Sequence, residues 1–289
     1  MQIERLLRAI YQPQNVYCIH VDSKSHPLFK EAIRKLSECL DNVFVASESE
    51  NVQWGGISVA LGDVHCMTDL LQHPVQWKYL INLCGQDFPL KTNREIVGRL
   101  KNYTGRNCIA GVPVHGGKFE FRTKYIYRFI SVHDPPMMYD TPYRMKDPPP
   151  GNMTIYKGPV WIAATRGFVD YIINDELAKG FLTWLNDTLI PDETFTPSLG
   201  RVPQAPGYLA SPHECYTHFK RLARYSEKPT RRLPRCRGKY WRDICIFTVA
   251  DLQYLQDMPE LFINKFHYDY DPVTMQCMEE LLGKRRISP

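Results

Sequence analysis

VYCIHVD, residues 16–22, is the stretch on which the fold turns. Its apolar run reads as a buried strand that ends at the polar residues His20, Asp22, Ser23 and Lys24. PLFKEAIRKLSECL follows directly and sets Phe29, Ile33, Leu36 and Leu40 at helical spacing, which makes a βα unit. NVFVA (42–46) is a second strand. In ISVALGDVHCMTDLL (57–71), Ile57, Leu61, Val64 and Leu71 share one helical face, and KYLINLC (78–84) is a third strand. Strands alternating with helices predict an α/β fold with a mostly parallel central sheet flanked by helices.

Working outward, residues 103–158 cluster Gly, Pro, Tyr and Arg and end in DPPPGNMT, so long connections with one short antiparallel pair are expected there. Regularity resumes at PVWIAATR (159–166), with helical patterns over 167–187 and 192–199. Residues 200–241 are again rich in Pro and Arg, and DICIFTV (243–249) is the last strand.

Forty-four per cent hydrophobic residues in a chain of 289 exclude general disorder. A formal charge of +5, from 36 basic and 31 acidic residues, suits anionic small molecules and falls short of a dedicated nucleic-acid surface. The nine cysteines carry no CxxC pair and no neighbouring His pair at zinc spacing, so disulfides are the better expectation. Sequons at Asn102, Asn152 and Asn186 point with them to a lumenal, glycosylated setting. No run reaches the roughly 18 to 20 apolar residues of a membrane span, and MQIERLLRAIYQPQN lacks the apolar stretch of a signal peptide. A truncated chain or an alternative start is expected.

In an open α/β sheet, ligands bind beyond the carboxyl ends of the strands, which selects Asp22, Ser23 and Lys24, and also Gln86, Asp87 and Pro89. Asp22 could accept hydrogen bonds from a nucleotide, or could simply form a turn. VQWGGIS sets Trp54 beside two glycines, either to cover a flat ligand face or to fill the core after a tight turn. Asp192 and Glu193 follow Pro191 where acids also serve as helix caps, yet a carboxylate there could take a proton from a sugar hydroxyl. Arg242 closes the most basic stretch, 231–242, and with Lys265 offers two cations for a diphosphate leaving group, unless that stretch is only a solvated loop. Asp269-Tyr-Asp271 has the letters of a metal motif but lies near the C-terminus and reads as surface acid.

Taken together, RLLRAIYQPQNVYCIHVDSKS (5–25), NVFVASE (42–48), WKYLINLCGQDFPLKTNREIV (77–97), Pro191-Asp192-Glu193, CIFTVADL (245–252) and LFINKF (261–266) resemble the core 2 and I-branching β-1,6-N-acetylglucosaminyltransferases. The resemblance covers nearly the whole chain, and its pattern looks most like the divergent seventh vertebrate member of that group. It implies one catalytic domain of GT-A type over residues 1–289, using UDP-N-acetylglucosamine without metal or other cofactor. The implied reaction is inverting transfer to the 6-hydroxyl of galactose or N-acetylgalactosamine on an O-glycan. Glu193 matches the base. Asp22, Ser23, Lys24, Trp54, Arg242 and Lys265 match donor-site positions, and Arg122 and Tyr225 match acceptor-site positions. Cys18–Cys66 and Cys236–Cys245 correspond to family disulfides, Cys84 to an unpaired thiol, and Cys39 and Cys277 to half-cystines with partners upstream.

Golgi residence as a type II membrane protein follows from the resemblance, with the anchor, stem and first core strand expected upstream of this chain. The implied partners are the UDP-sugar and an O-glycan acceptor, with no nucleic acid. The acceptor wall departs from the pattern: Thr194-Phe-Thr-Pro-Ser follows the Pro-Asp-Glu, and the acceptor lysine is replaced at about Phe119. A relative that binds UDP without turnover, or one with a different acceptor, is the rival expectation; a basic nucleic-acid module would rest on residues 231–242 alone.

Overall fold

A computed structural model describes residues 2–130, 137–210, 236–241 and 244–287. Its first half runs α1 (Gln2–Ile10), β1 (Tyr17–Ile19), α2 (Pro27–Glu38), β2 (Val43–Val45), α3 (Ser58–Gln72), β3 (Tyr79–Ile81), β4 (Asp87–Pro89) and α4 (Asn93–Lys101). Then come β5 (Val112–Pro113), α5 (Phe121–Lys124), β6 (Tyr125–Ile130), β7 (Met137–Met145), β8 (Tyr156–Lys157), β9 (Ala163–Thr165), α6 (Arg166–Asn174), α7 (Glu176–Trp184) and α8 (Phe195–Leu199). The last elements are β10 (Lys239–Trp241), β11 (Ile244–Ile246), α9 (Leu252–Asp257), β12 (Phe262–Asn264) and α10 (Pro272–Ile287). This is a mixed α/β architecture in which the described strands pair two by two. The β1–β2 pair is parallel, with Cys18 opposite Phe44, whereas β4–β12, β5–β8, β6–β7 and β10–β11 are antiparallel.

The chain divides into two compact units, one of residues 13–80 and 105–212, the other of 1–12, 81–104 and 213–289. In the first unit the core gathers residues of α6, α7 and α8 with those beside β9: Ile162, Phe168, Val169, Phe181, Leu185 and Leu199 are sealed from solvent. The single helical pattern over 167–187 is in fact two helices, because Asp175 leaves helical geometry and its carboxylate accepts from Leu177 and Ala178 N–H to start α7. On α7, Phe181 stacks with Trp184 one turn further along and with Phe195 of α8, at ring centroid distances of 5.7 and 6.4 Å. The 103–158 region holds more structure than its composition suggests, since β6 and β7 form a hairpin besides the short β5–β8 pair. Lys146 anchors the hairpin's end by donating to the Trp184 carbonyl at 2.7 Å and pairing with Asp187.

In the other unit, β4 and β12 set Phe88 opposite Ile263, and α9 and α10 add Leu255, Met275, Met278 and Leu282 to that core. Asp87, a ligand candidate by strand-end position, is fully buried instead. Its carboxylate accepts from Cys84 N–H at 2.7 Å and from the Asn264 amide at 2.8 Å, so it ties the two strands together. Cys236 and Cys245 are joined by a disulfide across the β10–β11 region. Asp271 caps the start of α10 by accepting from Thr274 N–H at 2.9 Å, and also accepts from Val249 N–H at 3.0 Å, while Asp269 is exposed. No helix among the described residues is long and apolar enough to cross a membrane.

Phe181 is wholly buried in one cluster with Phe195 and Leu199. Phe181→Ala should therefore cost about 3–5 kcal/mol of unfolding free energy, read from the shift in urea midpoint at unchanged slope.

Candidate functional site

Glu193 is delivered by a constrained piece of backbone. Ile190 adopts a left-handed conformation, φ 53° and ψ 58°, which a β-branched side chain tolerates only where its surroundings hold it. The hold is visible: Ile190 N–H donates to the Gly55 carbonyl at 2.8 Å, and Gly55 itself has φ 82°. Pro191–Glu193 then forms one 3-10 turn, closed by Glu193 N–H on the Ile190 carbonyl at 3.3 Å. On the far side, Gly158 N–H donates to the Glu193 carbonyl at 2.8 Å. A β-carbon at Gly158 would lie 2.0 Å from the Ala110 carbonyl oxygen, so only glycine allows that approach.

The Glu193 side chain caps no helix. Its Oε2 accepts from Arg122 Nη1 at 2.7 Å and lies 3.3 Å from Lys157 Nζ. Both cations also sit over the Phe119 ring, Arg122 at 4.9 Å and Lys157 at 4.7 Å from its centroid. Among the described residues Oε1 has no hydrogen-bond partner. One oxygen is thus anchored by two charges, and the other keeps its lone pairs available to a donor.

The end of β1 lies in the same unit. Lys24 N–H donates to Asp22 Oδ1 at 2.9 Å, its ammonium lies 3.3 Å from Oδ2, and the same ammonium donates to the Val52 carbonyl. Burial opposes ionisation of Asp22, but the hydrogen bonds from Lys24 outweigh it and hold the carboxyl below its ordinary range. Ser23 and Lys24 are exposed, and Ser23 N–H donates to the Glu50 carbonyl at 2.8 Å. Beneath them His20 accepts from Glu50 N–H at 3.0 Å and stacks near His65, which meets Glu50 Oε1 at 2.7 Å. Gly62 packs on the His20 ring, where a β-carbon would approach to 3.0 Å.

Trp54 is 67% exposed, which removes the core-tryptophan reading. Because its neighbour Gly55 bonds Ile190, the Trp54 backbone is stitched to the turn that carries Glu193. Cys18 and Cys66 face each other with sulfurs 2.7 Å apart, both as thiols. Cys66 and burial push the Cys18 thiol up. Asn102, Asn152 and Asn186 are all exposed. Lys265 belongs to the other unit, where its carbonyl accepts from Phe247 N–H at 3.1 Å. Arg242 and Tyr225 lie outside the described residues. No group of His, Cys, Asp or Glu among the described residues could hold a metal ion.

Residues 1–256 match the model of the Core-2/I-Branching enzyme family. The chain belongs to this family. It is 44% identical over 278 residues to the human N-acetyllactosaminide beta-1,6-N-acetylglucosaminyl-transferase, covering 96% of this chain and 67% of that protein. It is 41% identical over 289 residues to Danio rerio beta-1,3-galactosyl-O-glycosyl-glycoprotein beta-1,6-N-acetylglucosaminyltransferase 4, with 99% and 67% covered. The human probable enzyme numbered 7 of the same series is 39% identical over 282 residues, with 95% and 63% covered. Within this Core-2/I-branching chain, Lys157 is the site residue that sequence reasoning passed over. Its sequence signal was only a lysine before Gly158 in a Pro- and Tyr-rich connection.

Two outcomes are expected. Gly158→Ala should lower the melting temperature by several degrees, about 1–3 kcal/mol, by pushing β8 away from Ala110. Burial first, and then the His65 ring, hold the His20 pKa below its ordinary 6.5, against the opposing pull of Asp22 and Glu50. A group lowered in the folded state binds its proton first in the unfolded chain. Stability is therefore full above about pH 6.5 and falls as the pH drops toward the folded value. Urea titrations from pH 7.5 to 5 should show that loss, and His20→Asn should flatten it.

Proposed function

We propose that this chain transfers N-acetylglucosamine from UDP-N-acetylglucosamine to the 6-hydroxyl of galactose or N-acetylgalactosamine on an O-glycan, with inversion and without metal. Glu193 is the general base. The observation that carries this reading is the asymmetric Glu193 carboxylate, with Oε2 fixed by Arg122 and Lys157 and no described partner on Oε1. Relatives at 44% and 41% identity whose names give this transferase activity support the donor and the linkage.

In the step itself the acceptor oxygen forms a bond to the anomeric carbon while the bond from that carbon to the UDP diphosphate breaks. The acceptor's hydroxyl proton passes to Glu193 Oε1, and UDP leaves with the bonding electron pair. Inversion follows from attack on the face opposite the leaving group. Such a base contributes about 10²–10⁴-fold. Arg242 and Lys265 take the charge that builds on the diphosphate, the task a divalent ion performs in metal-dependent transferases. Asp22, Ser23, Lys24 and Trp54 hold the nucleotide-sugar, with Trp54 covering a flat face. Arg122 and Tyr225 serve the acceptor.

The proposal extends to one catalytic domain of GT-A type with a mostly parallel central sheet, and to a lumenal position in the Golgi as part of a type II membrane protein. In that oxidising setting Cys18 and Cys66 form a disulfide, and the three sequons carry glycans. Nucleic acid is not a partner.

Glu193→Gln should lower turnover on a core 1 acceptor by about 10²-fold or more while leaving UDP affinity unchanged. Turnover retained by that variant would overturn the base assignment. Non-reducing peptide mapping of secreted protein should recover Cys18 linked to Cys66, and two free thiols there would refute the pairing.

A further inference from the structure

We propose that Lys157 is a positioning residue that selects which oxygen of Glu193 receives the acceptor's proton. This rests on the assignment of Glu193 as base. A glutamate's terminal torsion is broad and nearly two-fold, so one cation on a carboxylate leaves its two oxygens free to exchange. Here Arg122 from α5 and Lys157 from β8 meet on the same atom, Oε2, at 2.7 and 3.3 Å. Neither belongs to the turn that carries Glu193, so the two contacts approach from separate elements. Phe119 braces both, its centroid lying 4.9 Å from Arg122 and 4.7 Å from Lys157. Gly158, next to Lys157, donates its N–H to the Glu193 carbonyl at 2.8 Å, which ties the backbone beside the lysine to that of the acid.

The side chains of Arg122, Lys157 and Glu193 are only 14%, 24% and 21% exposed, so water competes weakly for these contacts. Charged groups beside this cluster include Lys118, over the same Phe119 ring at 4.9 Å, Glu120 at the start of α5, and Asp192, which precedes the base. With Oε2 held twice, the carboxylate presents Oε1 to the acceptor hydroxyl.

Removing the lysine charge should therefore separate kcat from KM, a split that a purely structural role would not produce. In Lys157→Met and Lys157→Gln, kcat should fall about tenfold, while KM for UDP-N-acetylglucosamine stays the same. Lys157→Arg should restore the wild-type kcat. Two neutral variants are used so that a packing defect in one, visible in its melting temperature, leaves the other to decide. If Glu193→Gln is inactive and kcat is unmoved in a folded neutral variant, the role of Lys157 is overturned and the base stands. If Glu193→Gln remains active, the base assignment falls and takes this proposal with it.

Discussion

Two cations meet one carboxylate oxygen at Glu193, and much of the surrounding unit is arranged to keep them there. A carboxylate with both oxygens solvated samples many orientations, whereas one pinned at Oε2 offers its other oxygen in a defined direction. The pinning needs three separate pieces of chain to converge. α5 brings Arg122, β8 brings Lys157, and the turn after Ile190 brings the acid. Phe119 supplies the face on which both cations rest, so its aromatic ring contributes through electrostatics as well as apolar area.

The backbone around that carboxylate is stiff for identifiable reasons. Ile190 is held left-handed by a hydrogen bond to Gly55, and Gly158 approaches the Ala110 carbonyl more closely than any β-carbon would permit. Behind the turn, Phe195 packs on Phe181, so the fully buried core of α6 and α7 fixes the segment that immediately follows the base. A strained turn on a rigid core is a common way to hold a reactive group in place. Asp87 serves a different purpose in the other unit. It resembles a ligand by position, but burial with two donors makes it a strand tie.

The elements that carry strong periodicity were legible from residues alone. α2 and α3 appear where apolar spacing places them, and β1 forms within the expected 16–22 stretch but ends at Ile19, with Ser23 and Lys24 beyond it open to solvent. The β6–β7 hairpin was only partly legible: one antiparallel pair was expected in that region, but a Pro-, Gly- and Tyr-rich stretch has no clean alternation to mark where its strands begin and end. The split at Asp175 was hidden for another reason: an aspartate inside an apolar helical pattern becomes a cap only when the second helix must turn toward its own core.

By itself the sequence determined the βα start, the candidate acid at Glu193, the polar segment Asp22–Lys24 after the first strand and the family to which these segments belong. Those features are local, and short-range spacing records them. Only the tertiary structure decided that Trp54 is exposed, that Asp87 is buried, and that Lys157 shares Oε2 of Glu193 with Arg122. Residues 122, 157 and 193 are far apart along the chain, and no pattern within any one segment encodes a contact created by the packing of three.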